Sequence, residues 1–194
     1  MSPPGFIAKH NIEGEPEYIY AYSYLGNGLM SARQSILIKN SEIDSGHNFS
    51  LLDYHISSPC FKIFKSNVSY VWKFNDNLFH INYDNSFLNA FSGCYQEVQE
   101  FIEGSNIDKP EELVHRQVYA MSYFYDRMKD IKVIKQEFGH IKVRDYFLYA
   151  EHVCNGIIKL RKQSAFLCLD LTYIAAYLHD GLGLPLHKDI LVNF

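Results

Sequence analysis

The chain has 194 residues, 47% of them hydrophobic and 21% charged, with 15 Tyr and 14 Phe; this suits one globular domain with a sizeable core and excludes a disordered tail. Its formal net charge of -4, with Lys and Arg scattered along it, offers no basic stripe to follow a phosphate backbone, so nucleic acid is not expected as a partner. The longest apolar run, "AFLCLDLTYIAAYL", is cut by Asp170 and is shorter than the roughly 20 residues of a membrane span, so no membrane contact is expected within this chain.

Residues 5 to 12 and 17 to 24 alternate as strands do, and the intervening "EGEP" supplies the Gly and Pro of a turn, which predicts a hairpin. The stretch "YAYSYLGNGLMSARQSIL" then runs from strand into Gly26-x-Gly28 and on into a helix to about Lys39, with Leu29, Ala32 and Ile36 on one side. A polar loop is expected from Asn40 to Asn48. "FKIF", "VSYVWKF" and "LFHINY", with Asn75-Asp76-Asn77 between the last two, predict a second hairpin over 61 to 83.

From Ser92, which is available as an N-cap, Tyr95, Val98, Phe101 and Ile102 share a helical face that stops at Gly104. Pro110 at a first helical position, followed by Glu111 and Glu112, marks a short helix. "QVYAMSYFY" reads as a buried strand from Gln117 to Tyr125. Helices are expected from about Val143 to Ile157 and through Leu171, Ile174, Ala175 and Leu178 to Gly181. The order is mixed α/β with helices late.

The residues carry little chemistry on their own. Gly26-x-Gly28 lacks the third glycine and acidic partner of a dinucleotide fingerprint and the Gly-Lys-Ser/Thr of a P-loop, and as it stands a tight turn explains it. The histidines lie singly, and Asp126-Arg127 and His179-Asp180 read as local ion pairs or helix-end charges. "MSPPGFIAKH" has neither the basic nor the apolar region of a signal peptide, yet Asn48-Phe49-Ser50 and Asn67-Val68-Ser69 are glycosylation sequons. Four cysteines without a CxxC argue against tetrahedral zinc and leave buried thiols and disulfides both open.

Three separated segments, "YSYLGNGLMSAR", "VYAMSYFYDRMKD" and "SAFLCLDLTYIAAYLHDGLGLP", resemble stretches of the nucleoside diphosphatase and apyrase family in the same order and near the same spacing. The likeness is greatest to the soluble diphosphatases of the endoplasmic reticulum and Golgi and spans nearly the whole chain. It implies a two-lobed, RNase H-like and actin-like enzyme that hydrolyses UDP- or GDP-type nucleoside diphosphates around Ca²⁺ or Mg²⁺ in the secretory pathway lumen. The family's "DAGSTG"- and "DLGGAST"-like phosphate loops are not in this sequence. The resemblance therefore implies that residues 1–194 correspond to most of the second lobe, without its first strand, its last helix or the N-terminal lobe, and that no catalytic or metal-binding residue lies here.

It further implies bridges Cys60–Cys94 and Cys154–Cys168, each contributing about 3–4 kcal/mol in the chain-entropy account, and an oxidising compartment. Gly26 and Gly28 become the wall of a nucleotide site, their small size letting the following helix pack close. Leu29 and Met30 stand where cell-surface members carry an Arg-Asp pair, which favours a diphosphate-preferring type. Family members stack the base between aromatics of the "SYFYD" neighbourhood and from near "FLC", which brings Tyr123, Phe124 and Phe166 forward, although strand alternation would bury half such rings. The alternative readings are a non-catalytic truncated product and a secreted, disulfide-stapled binding domain.

Overall fold

Alternation at the start of the chain does produce a hairpin: β1 (Ile7–Ile12) and β2 (Glu15–Tyr20) pair antiparallel, with Ile7 opposite Tyr20 and Ile12 opposite Glu15. The computed structural model describes residues 7–12, 15–20, 24–44, 52–61, 69–158 and 165–193. Asn48 and Asn67, and most of "FKIF", lie outside them.

α1 (Leu29–Lys39) starts just after Gly28, its N-cap, as expected and buries Leu29, Ala32, Ile36 and Leu37. The segment expected as a polar loop starts instead with a strand, β3 (Ser41–Asp44), because β4 (Leu52–Ser58) offers it an antiparallel partner. Neither strand was expected from the sequence. β4 ends in a 3₁₀ turn, Pro59–Phe61, so Phe61 is not part of a hairpin strand. The hairpin is narrower than expected: β5 (Tyr70–Phe74) and β6 (Asn77–Tyr83) flank a turn at Asn75, whose φ of 53° suits asparagine. β6 also pairs parallel to β4, giving the mixed order β3-β4-β6-β5.

α2 (Ala90–Glu103) is capped by Asn89, whose side chain accepts from the Ser92 backbone N–H at 3.2 Å; Ser92 is a recipient of the cap, not the cap. Pro110 is the N-cap of α3 (Glu111–His115) and precedes its first helical residue. The predicted strand 117–125 divides: β7 (Val118–Met121) stops at Ser122, whose φ of 60° and ψ of -126° turn the chain into α4 (Tyr123–Asp130). Nor is β7 buried throughout, since Tyr119 and Met121 are exposed on one face.

β8 (Phe138–Lys142) leads into α5 (Val143–Cys154), where Asp145 accepts from the Lys142 backbone N–H at 2.9 Å. α5 ends at Asn155 and Gly156, the latter at a φ of 74°, short of the expected Ile157. Every residue of α6 (Leu167–Ala176) is buried, and its end winds into π-helical turns over Tyr177–Gly181. An apolar circumference of this kind belongs to a helix enclosed by others. The last described strand, β9 (Asp189–Asn193), was also unforeseen; it runs parallel to β7 and antiparallel to β8 in the order β7-β9-β8. The architecture is α/β, two mixed sheets with flanking helices around α6.

Candidate functional site

α6 carries a stripe that its apolar neighbours conceal. Phe166 just before it, then Asp170, Tyr173 and Tyr177, fall four, three and four residues apart, the spacing of a single helical face. Two distinct environments are built along that face.

At its beginning, Phe166 is enclosed. Phe61, Tyr70 and Trp72 meet its ring edge-on at centroid distances of 5.4, 5.7 and 4.9 Å, the Arg33 guanidinium lies 4.5 Å over it, and 8% of the residue is exposed. Little of the ring is left exposed. Arg33 from α1 is held there by Asp170, its Nε donating to Oδ1 at 2.6 Å. Arg127 from α4 shares the same carboxylate at 3.4 Å and reaches Asp130 at 3.2 Å. Asp170 is wholly buried: burial pushes its carboxyl up, and the two guanidinium groups oppose that. The carboxylates Arg127 meets are thus Asp130 and Asp170, and through Asp170 it ties α4 to α6.

Further along, the face enters a second environment. The Tyr173 hydroxyl donates to the Asn27 carbonyl at 2.5 Å, joining α6 to the Gly26–Gly28 loop. Tyr173 contacts Tyr177 at 5.8 Å, Tyr177 contacts Phe124 at 6.4 Å, and Phe124 is stacked on Tyr123 at 4.3 Å. The structure thus brings Gly26, Gly28, Phe124 and Tyr123 into one connected wall and leaves Phe166 apart from it. Tyr123 and Phe124 sit in the first turn of a helix and not on a strand, and Tyr146 secures that turn by donating to the Phe124 carbonyl at 2.9 Å. Because the two rings cover each other, each keeps only its outer face for further contacts. Burial, with Tyr177 adding to it, pushes the Tyr123 hydroxyl up and keeps it neutral.

The glycines work differently from the sequence expectation. Gly26 has a φ of 86°, which an L side chain resists, whereas among the described residues a Cβ at Gly26 or Gly28 would meet nothing within 4 Å. One allows the turn, and both leave space before the helix among the described residues. The turn is closed by the Asn27 N–H donating to the Tyr24 carbonyl at 3.1 Å. Asn27 itself is buried, and its Oδ1 has no hydrogen-bond partner among the described residues. None of these residues lines the polar cleft of about 390 Å³ bounded by Gln99, Glu103, Lys109 and Asp180 at the end of α2. His179 serves locally, its Nδ1 lying 2.8 Å from the Leu184 carbonyl, whereas Asp180 reaches α2, accepting from the Tyr95 hydroxyl at 2.6 Å.

The cysteines pair as the resemblance implies, Cys60 with Cys94 and Cys154 with Cys168. Among the described residues one grouping of three or more Cys, His, Asp or Glu donors converges, the sulfurs of Cys94, Cys154 and Cys168. These are soft and already bonded, so the donor set does not fit Ca²⁺ or Mg²⁺, which require several oxygens. Among the described residues no helix is long and apolar enough to cross a membrane.

Asn27, Arg33, Arg127, Asp170, Tyr173 and Tyr177 were not singled out as site residues from the sequence. The one available signal was Asp170, a lone carboxylate in an apolar run, from which the stripe can be traced at helical spacing.

No family model matches the chain. Curated relatives do: ectonucleoside triphosphate diphosphohydrolase 5 of Gallus gallus is 32% identical over 184 residues, covering 94% of this chain and 40% of that protein. Nucleoside diphosphate phosphatase ENTPD5 of Homo sapiens is 33% identical over 185 residues, covering 94% and 41%. Ectonucleoside triphosphate diphosphohydrolase 6 of Homo sapiens is 29% identical over 191 residues, covering 96% and 37%. The chain spans about two fifths of the length of the relatives it matches.

Proposed function

The chain belongs to the ectonucleoside triphosphate diphosphohydrolase family, and we propose that it forms the base-side wall of an enzyme that hydrolyses UDP- or GDP-type nucleoside diphosphates to monophosphate and phosphate. The observation that carries this is the match of 94% of the chain to a protein named a nucleoside diphosphate phosphatase. On this reading the chain is the greater part of the second, RNase H-like lobe of a two-lobed enzyme. An α/β body with two mixed sheets is compatible with that lobe.

The role of its residues is to bind and orient. Tyr123 and Phe124 offer an outer ring face, and stacking accepts any base because every base has a π-face, at about 1–3 kcal/mol each. The Gly26–Gly28 loop, held by Tyr173, leaves room beside α1 for the sugar. No catalytic residue is assigned to this chain, and Ca²⁺ or Mg²⁺ would be held by the rest of the enzyme, where it would polarise the phosphate. The two bridges support a lumenal or secreted location.

The test is a chimera in which this chain replaces the matched region of nucleoside diphosphate phosphatase ENTPD5 of Homo sapiens. It is expected to release phosphate from UDP and GDP with Mg²⁺ or Ca²⁺, while residues 1–194 alone release none. A folded chimera without turnover would overturn the reading in favour of a non-catalytic binding domain.

A further inference from the structure

The two disulfides are neighbours. The sulfurs of Cys94, Cys154 and Cys168 all lie within 4.8 Å of one another, and all four cysteines are buried. A thiolate freed from the Cys154–Cys168 bridge would therefore find a disulfide sulfur, Cys94 Sγ, within one small displacement, and exchange proceeds by such an attack. On the far side of that bridge, Cys60 Sγ lies 3.6 Å from Glu97 Oε2. Glu97, on α2, also accepts from the Ser58 hydroxyl of β4 at 2.7 Å and is faced by Asp84 beyond β6 and by Glu100 on its own helix. Burial, opposed by the Ser58 hydrogen bond and reinforced by the two carboxylates, pushes it up to about 7, so at neutral pH much of it holds a proton beside the sulfur.

We propose that the two bridges are one thiol–disulfide exchange site, in which Cys94 passes from Cys60 to Cys154 or Cys168 and Glu97 protonates the departing Cys60. A low-molecular-weight dithiol first reduces Cys154–Cys168 and is itself oxidised to a disulfide, delivering two electrons. The thiolate of Cys154 or Cys168, having lost its proton to water, attacks Cys94 Sγ. A new S–S bond forms, the Cys60–Cys94 bond breaks with its electron pair going to Cys60 Sγ, and the Glu97 proton moves onto that sulfur. This second step consumes no electrons.

The experiment treats the full chain with one equivalent of dithiothreitol at pH 5.5 to 9, quenches with acid, alkylates free thiols and maps bridges by mass spectrometry. Molecules with Cys94 joined to Cys154 or Cys168 and with Cys60 alkylated are expected. Their rate of formation should level off or fall above pH 7, where Glu97 loses its proton while thiolate supply still rises. In Glu97→Gln the rate should be about tenfold lower below pH 7 and climb steadily with pH. Native bridges alone at every pH in the wild-type chain, which needs no variant, would overturn the exchange site; a Glu97→Gln profile matching the wild type would overturn the proton donor.

Discussion

Phe166 and Phe124 are aromatic residues near opposite ends of the same helical face, and they have become different things. Phe166 is surrounded by three rings and a guanidinium. Phe124 is half-buried, shares one face with Tyr123 and touches Tyr177 only at 6.4 Å. Neither difference is a property of phenylalanine; it follows from how many elements converge on each ring. Around Phe166 α1, the 3₁₀ turn and β5 all close in, whereas Phe124 stands in the first turn of α4.

Four measurements sharpen or break this contrast. The largest effect is expected from Phe166→Ala, which should cost about 3–5 kcal/mol as a core truncation and lower the melting temperature by about 10 °C in a domain of this size; a stable variant with impaired nucleotide binding would reverse the assignment. Asp170→Asn should cost about 3 kcal/mol, because it leaves Arg33 and Arg127 facing a neutral group at a buried position. Chemical denaturation reads this directly, and a loss under 1 kcal/mol would show that the two arginines do not depend on the carboxylate.

The 3₁₀ turn that closes on Phe166 also carries Cys60, whose sulfur lies 3.6 Å from Glu97, a carboxyl raised to about 7 from 4.5. The folded state therefore keeps a proton that the unfolded state releases, and stability should be highest below pH 4.5 from this group and decline as pH rises through 7, by up to about 3 kcal/mol. Glu97→Gln should flatten that slope in urea titrations at several pH values; an unaltered slope assigns it to other groups. The smallest stability effect belongs to the open end. In the active chimera Phe124→Ala should raise KM for UDP about 5- to 100-fold with kcat little altered, since stacking distant from phosphorus holds ground and transition states alike. An unchanged KM would make Phe124 a packing residue like Phe166.

The sequence is most informative where one element decides its own fate. α1, α5 and α6, and the β5–β6 hairpin with its Asn75 turn, are legible because periodicity and turn chemistry are local. β3 and β9 are not, since each becomes a strand only by pairing with residues elsewhere. The break at Ser122 is invisible for a different reason: a serine at positive φ gives no compositional warning, and over five residues "SYFYD" satisfies strand alternation as readily as a helix. Within the site, the wall depends on Tyr173 finding the Asn27 carbonyl, a contact between residues 146 positions apart. The bridges were legible only through family resemblance, because four cysteines admit three pairings.

β9 has a consequence for the order in which the molecule assembles. It lies between β7 and β8, pairing Val118 with Ile190 and Ile141 with the same Ile190. On a ribosome both outer strands emerge long before the strand that joins them, and the α5 and α6 helices are made in the interval. Until residues 189–193 arrive, β7 and β8 have edges with nothing between them, and Tyr119, Met121 and Phe138 stand beside unpaired backbone. The three-stranded sheet is thus a late closure over a long loop, and a nascent chain is most open to wrong pairing at this sheet, while the β3-β4-β6-β5 sheet can already be complete.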